Sequence, residues 1–156
     1  MSHFCGFEHC KIDANGRIKL PPEMLREFLT REVDGGVVFR CLPEGALALY
    51  PKSEYEKMLS QLREEEEKNP LRSLAKRREL RYEGAWSCNG KISPQGRITL
   101  PNEFRKFASL ELGQECIITG SSAGVEFWAP DKWQKELEEM QQFHLLTGER
   151  EMRGER

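Results

Sequence analysis

Residues Asn15–Pro21 read NGRIKLP, and eighty positions later residues Gln95–Pro101 read QGRITLP. No other feature constrains the fold as much, because self-similarity at a fixed separation marks a duplicated supersecondary unit. The flanking segments recur in the same order. Each half offers a short strand before the motif (FEHCKID, AWSCNGKIS), a glycine turn, a short helix after it (EMLREFL, NEFRKFA), two apolar strands (GVVFR with ALALY, CIITG with VEFW) and a longer helix (SEYEKMLSQLREEEE, DKWQKELEEMQQF). A chain of 156 residues holds one ordinary core or two small ones, and the repeat favours two half-domains.

Local chemistry supports this plan. Asn15-Gly16 suits the left-handed backbone of a tight hairpin turn, and Gln95-Gly96 keeps the glycine. Pro21 and Pro101 close each second strand and suit a helix start, where a missing N–H costs nothing. Ser53 with Glu56 reads as a capping box, and Asp131 with Gln134 approximates one. Asn69-Pro70 reads as the cap and first turn of an additional helix, PLRSLAKRRELRY. The expectation is an α+β chain of two ββαββα halves: residues 1–62, a charged helical linker 63–81, residues 82–146, and a flexible tail 147–156 without caps or apolar periodicity.

Hydrophobic residues make up 38% and charged residues 32%, a soluble globular composition. No apolar run approaches the roughly 20 residues that span a bilayer, and MSHFCGFEHC has neither the basic leader nor the apolar core of a secretory signal, so a cytoplasmic address is expected. Five scattered cysteines (Cys5, Cys10, Cys41, Cys88, Cys116) without a Cys-x-x-Cys argue against a disulfide framework or a four-cysteine zinc site. Net charge is −2, with residues 1–80 neutral and the deficit in residues 81–156. Any nucleic-acid contact therefore needs a local basic surface.

Side chains alternate faces along a strand, so Ile18 and Leu20 point one way and Arg17 and Lys19 the other; Ile98 and Leu100 oppose Arg97 and Thr99 in the same fashion. Turn geometry accounts for the glycine of the repeated motif, and packing for its isoleucine and leucine. Neither requires the arginine. An arginine presented twice on a polar face suits recognition of phosphate or of a guanine edge, and an acid four residues away can orient its fork.

The paired Gly-Arg-Ile-x-Leu-Pro motifs, the strand-to-helix junctions YPKSEYEKM and WAPDKWQKEL, and the joint RRELRYEGA resemble the MraZ family of tandem SpoVT-AbrB-like transcriptional regulators of the bacterial division and cell-wall gene cluster, over about Phe4 to Phe143. The resemblance implies halves interlaced as a swapped-hairpin β-barrel with flanking helices, assembly of chains into a ring, and a ring that grips successive repeats in double-stranded promoter DNA. It implies an Asp-x-x-x-Arg element in DNA contact, present as Asp13 to Arg17, so the DNA-binding set is Asp13, Asn15, Arg17, Lys19, Arg97 and Thr99. The chain departs from the family pattern twice. Ser93 stands where the family carries Asp, and Leu25 stands four residues after the first motif proline where the family carries Arg, as Arg105 does in the second half.

Other candidates carry less. His3, Cys5, His9 and Cys10 are zinc-competent types, but their spacing matches no common finger, and His9 and Cys10 fall on opposite faces of a strand. No acid or oxyanion element sits at a spacing that would make a Cys/His nucleophile. Arg72, Lys76, Arg77, Arg78 and Arg81 read equally as a phosphate-facing stripe and as a solvated helix paired with its acidic neighbour. Tyr55, Trp128 and Trp133 read as core or interface anchors. The expected activity is regulation of transcription at the nucleoid, as a repressor, with no catalysis, cofactor, metal, membrane or small-molecule substrate. The alternative is a ring-forming scaffold whose DNA surface is degraded.

Overall fold

The computed structural model describes residues 4–67 and 73–154. The first half contributes β1 (Phe7–Lys11), β2 (Arg17–Lys19), α1 (Pro22–Arg31), β3 (Gly36–Cys41), β4 (Leu47–Pro51) and α2 (Lys52–Glu67). After α3 (Leu74–Ala85), the second contributes β5 (Ser87–Lys91), β6 (Arg97–Thr99), α4 (Asn102–Phe107), β7 (Glu115–Gly120), β8 (Val125–Trp128) and α5 (Pro130–Met152). The element order is the duplicated ββαββα expected from the repeat.

The pairing joins the halves. Six strands form an antiparallel sheet in the order β1-β7-β8-β4-β3-β5, and β2 pairs with β6 in a separate two-stranded ribbon. The first strand of each half thus hydrogen-bonds to the third strand of the other: His9 lies opposite Ile117, and Cys88 opposite Phe39. β4 lies in the middle of the sheet and is buried along its whole length. Its alternation divides two cores. Leu47 and Leu49, with Val37, Phe39 and Cys41 of β3, face the ribbon and α1 and α4; Ala48 and Tyr50 face the other way, packed with Trp128, Tyr55 and Trp133. At the strand-to-helix junctions, Tyr50 and Trp128 are core groups, and the half-buried Tyr55 and Trp133 pack on them, Tyr55 stacked on Tyr50 at 6.4 Å and Trp133 against Trp128 at 5.8 Å.

Several local expectations are corrected. Ser53 and Asp131 lie inside α2 and α5 rather than capping them, because α2 begins directly after Pro51, which ends β4, and α5 begins at Pro130, two residues past β8. The Ser53 amide donates instead to the Glu32 carboxylate at 2.7 Å. Asn69-Pro70 lies outside the described residues, and the helix that follows is capped by Ser73, whose hydroxyl accepts from the Lys76 amide at 3.2 Å. The helix continues past the expected linker boundary to Ala85. α5 likewise runs through Thr147 to Met152, where irregular chain was expected. Glu, Arg and Met there are good helix formers with no proline to stop them, and Gly154, at φ +74°, follows the end. No helix among the described residues is long and apolar enough to cross a membrane.

Candidate nucleic-acid interface

The turn between β1 and β2 is built by one carboxylate. Asp13 Oδ1 accepts from the backbone amides of Asn15 at 2.8 Å and Arg17 at 2.9 Å, while Oδ2 accepts from Arg17 Nε at 3.1 Å. The loop closes through Gly16 N to Asp13 O at 3.1 Å and Asp13 N to Arg17 O at 3.0 Å. Gly16 sits at φ +77°, where a side chain would be strained. Asp13 therefore shapes the turn and holds the Arg17 guanidinium by one edge, with both side chains about two-fifths exposed.

The same bonds set the acidity of Asp13. Its carboxyl is held below the ordinary aspartate value, chiefly by the hydrogen bond from the Arg17 amide. A folded-state value below the unfolded one means that the turn's stabilisation is present above the unfolded value, about 3.9, and is lost as pH falls through the lowered one. In an NMR titration, the Asn15 and Arg17 amide resonances are expected to move together with an apparent pKa below 3.9 or so, while that of Arg97 stays still in the same range. Amide shifts centred at or above the free-aspartate value would contradict the pinned turn.

The second turn reproduces the backbone with a weaker anchor. Ser93 N donates to Arg97 O at 2.8 Å and Gly96 N to Ser93 O at 2.9 Å, but the side-chain contact is a single bond from the Arg97 amide to Ser93 Oγ at 3.1 Å. Among the described residues the Arg97 guanidinium has no hydrogen-bond or ion-pair partner.

The β2–β6 ribbon places both turns in one surface. Arg17 lies opposite Thr99, Ile18 opposite Ile98, and Lys19 opposite Arg97. Each motif leucine extends the ladder to the other motif's glycine, Leu20 N to Gly96 O at 3.0 Å and Leu100 N to Gly16 O at 2.8 Å. Ile18 and Ile98 are fully buried against the core, which forces Arg17, Lys19, Arg97 and Thr99 onto the outer face. All six residues of the expected set thus belong to this ribbon and its two turns. A two-stranded ribbon of this kind fits the major groove of B-DNA, about 12 Å wide.

Two further residues border the turns. Arg105 of α4 donates from Nη1 to Leu110 O at 2.8 Å, and its Nε lies 4.0 Å from where a Cβ on Gly16 would sit. Leu25 of α1 holds the matching place at the other turn, its Cδ2 only 2.7 Å from where a Cβ on Gly96 would sit. Each helix therefore serves the turn of the opposite half. Sequence comparison of the halves marks both positions but assigns each to its own half, since nothing local signals the exchange.

The remaining candidates lie elsewhere in the fold. His9 Nδ1 and Glu115 Oε1 form an exposed pair at 2.5 Å, and Cys10 points to the other face of β1. Burial pushes the Cys10 thiol up to about 11, which keeps it protonated at neutral pH. His3 lies outside the described residues, and among those described no group of three or more His, Cys, Asp or Glu is placed to hold a metal. Lys76 pairs with Glu65 of α2 at 3.1 Å and Glu79 at 3.4 Å, in keeping with a solvated helix tied to its acidic neighbour. Arg72 lies outside the described residues.

Comparison with known proteins agrees with the duplication. The profile of the family described as "MraZ protein, putative antitoxin-like" matches residues 4–78 and again residues 88–155. A protein of Saccharopolyspora erythraea named Transcriptional regulator MraZ is 29% identical over 97% of this chain and 98% of its own length. Proteins of the same name are 33% identical in Mycolicibacterium vanbaalenii, over 84% of each chain, and 26% identical in Christiangramia forsetii, over 89% of this chain and 86% of its own. With both halves matched by one profile and the relatives aligned over 84–98% of their own length, the chain belongs to the MraZ family.

Proposed function

We propose that the chain is a sequence-specific DNA-binding regulator of transcription that reads duplex promoter DNA with the β2–β6 ribbon. The observation that carries this reading is the register of the ribbon, which gathers Arg17, Lys19 and Arg97 on one exposed face although the motifs are far apart in sequence. The relatives' name, Transcriptional regulator MraZ, supports the regulatory role. Arg17, with one edge of its guanidinium held by Asp13, offers the free edge to a guanine or a phosphate. In this reading the exchange of first strands is the swapped-hairpin β-barrel of the AbrB type. The chain works in the cytoplasm at the nucleoid as a repressor of the division and cell-wall gene cluster.

Three cations are too few for a chain of net charge −2 to hold DNA alone at physiological salt. A ring of copies engaging successive direct repeats supplies the missing affinity through effective concentration. In fluorescence anisotropy against the duplex upstream of its own reading frame, wild type is expected to bind selectively at physiological salt, and Arg17→Ala to lose about 10- to 100-fold in affinity while keeping its oligomeric state. Equal binding by the variant would refute the assignment. Ser93 and Leu25 at the second turn favour a second reading, a ring-forming scaffold, which gains if binding vanishes at physiological salt for every promoter tested.

A further inference from the structure

Compared half with half, the chain is defective in both places: the first half has Leu25 for the arginine, the second Ser93 for the aspartate. Compared turn with turn, it is not. Because α1 and α4 cross over, Arg105 borders the Asp13–Arg17 turn and Leu25 borders the Ser93–Arg97 turn. One turn therefore keeps aspartate, arginine and flanking arginine, and the other has both neutral replacements together. We infer that the two turns are unequal, with the Asp13–Arg17–Arg105 turn determining sequence specificity and the Ser93–Arg97–Leu25 turn supplying a charge-only contact, so that each chain reads DNA with a polarity along its ribbon. This inference rests on the DNA reading of the ribbon proposed above.

The physical difference lies in what each arginine must give up on binding. Arg17 is already held by its Nε to Asp13 Oδ2, so docking its remaining edge on O6 and N7 of a guanine orders little more of the side chain. The Arg97 guanidinium has no hydrogen-bond or ion-pair partner among the described residues, so its exposed side chain must be ordered at the moment of contact. An unordered cation meets phosphates readily, and phosphate contacts carry no sequence information directly. Arg105 adds positive charge beside the first turn, whereas Leu25 fills the space beside Gly96 with hydrocarbon.

The test uses the full chain and two duplexes, the promoter region upstream of its own reading frame and a shuffled version of it, titrated over a series of salt concentrations. Arg17→Ala is expected to bring the ratio of the two dissociation constants close to one. Arg97→Ala is expected to weaken both duplexes by the same factor, leave the ratio unchanged, and lower the salt slope by about 0.9 for each phosphate that the variant no longer neutralises. Collapse of the ratio in Arg97→Ala, or in both variants alike, overturns the division of roles. A wild type that binds neither duplex overturns the DNA reading itself. The inequality is then decided without DNA, by ¹⁵Nε relaxation of the free protein: Arg17 is expected to be ordered and Arg97 mobile, and equal order at the two sites overturns the inference.

Discussion

Phe39→Ala is expected to destabilise the protein by about 3–5 kcal/mol, the usual cost of deleting a buried phenylalanine side chain. Phe39 is 1% exposed on β3, opposite Leu49 of its own half and Cys88 of the other. Its ring fills the space that Gly90 leaves open, since a Cβ at Gly90 would lie 2.7 Å from Phe39 Cε2. The substitution therefore opens a cavity at the seam between the halves rather than inside one of them. For a chain of this size each kcal/mol shifts the midpoint by about 2–4 °C, so thermal unfolding followed by circular dichroism should show a fall of roughly 6–20 °C in one cooperative transition. A loss below about 1 kcal/mol, or two separate transitions in the wild type, would contradict a core shared by both halves. The ribbon depends on that core, because Ile18 and Ile98 are buried in the same cluster as Phe39.

The second large effect concerns the attachment of α3 to the sheet. Glu83, 8% exposed, accepts from Arg40 Nε at 2.6 Å and also pairs with Arg40 Nη2. Beside it, Tyr82 donates its hydroxyl to Cys41 O at 2.6 Å. Removing one partner of a buried pair leaves the other charge uncompensated, at a cost of about 3–5 kcal/mol. Arg40 keeps 22% of its side chain exposed, so Glu83→Ala is placed toward the lower end of that range. Replacing both partners with hydrocarbon, Arg40→Met with Glu83→Leu, is expected to return most of the loss, because no charge then remains without a partner. Urea unfolding of the two single variants and the double variant measures this. A double variant as unstable as the sum of the singles would mean that the pair does not act as a unit.

Much of the architecture was legible from short-range rules. The apolar runs GVVFR and ALALY predicted strands, and β3 and β4 place Phe39 and Leu49 on one face and Ala48 and Tyr50 on the other. The glycines of the repeated motif predicted tight turns, and both adopt positive φ. The helix caps were less legible. Ser53 and Asp131 have the right residue types, yet α2 starts directly after Pro51 and α5 at Pro130, each ahead of the expected cap. The end of α5 was missed because a polar run carries no apolar periodicity, although its residues favour helix.

Sequence alone determined the duplication, the order of elements, the outward direction of Arg17, Lys19, Arg97 and Thr99, and the Asp-x-x-x-Arg spacing that lets one carboxylate reach an amide and a guanidinium four residues on. These depend on backbone geometry within a few residues, which residue type and spacing specify. Tertiary structure decided which half each strand joins, and with it the meeting of the two motifs across Ile18 and Ile98 and the placing of Arg105 beside Gly16 and Leu25 beside Gly96. A duplicated chain offers nearly equal local preferences for pairing within a half or across halves. The choice between them depends on how the whole core is filled, which no short stretch of sequence contains.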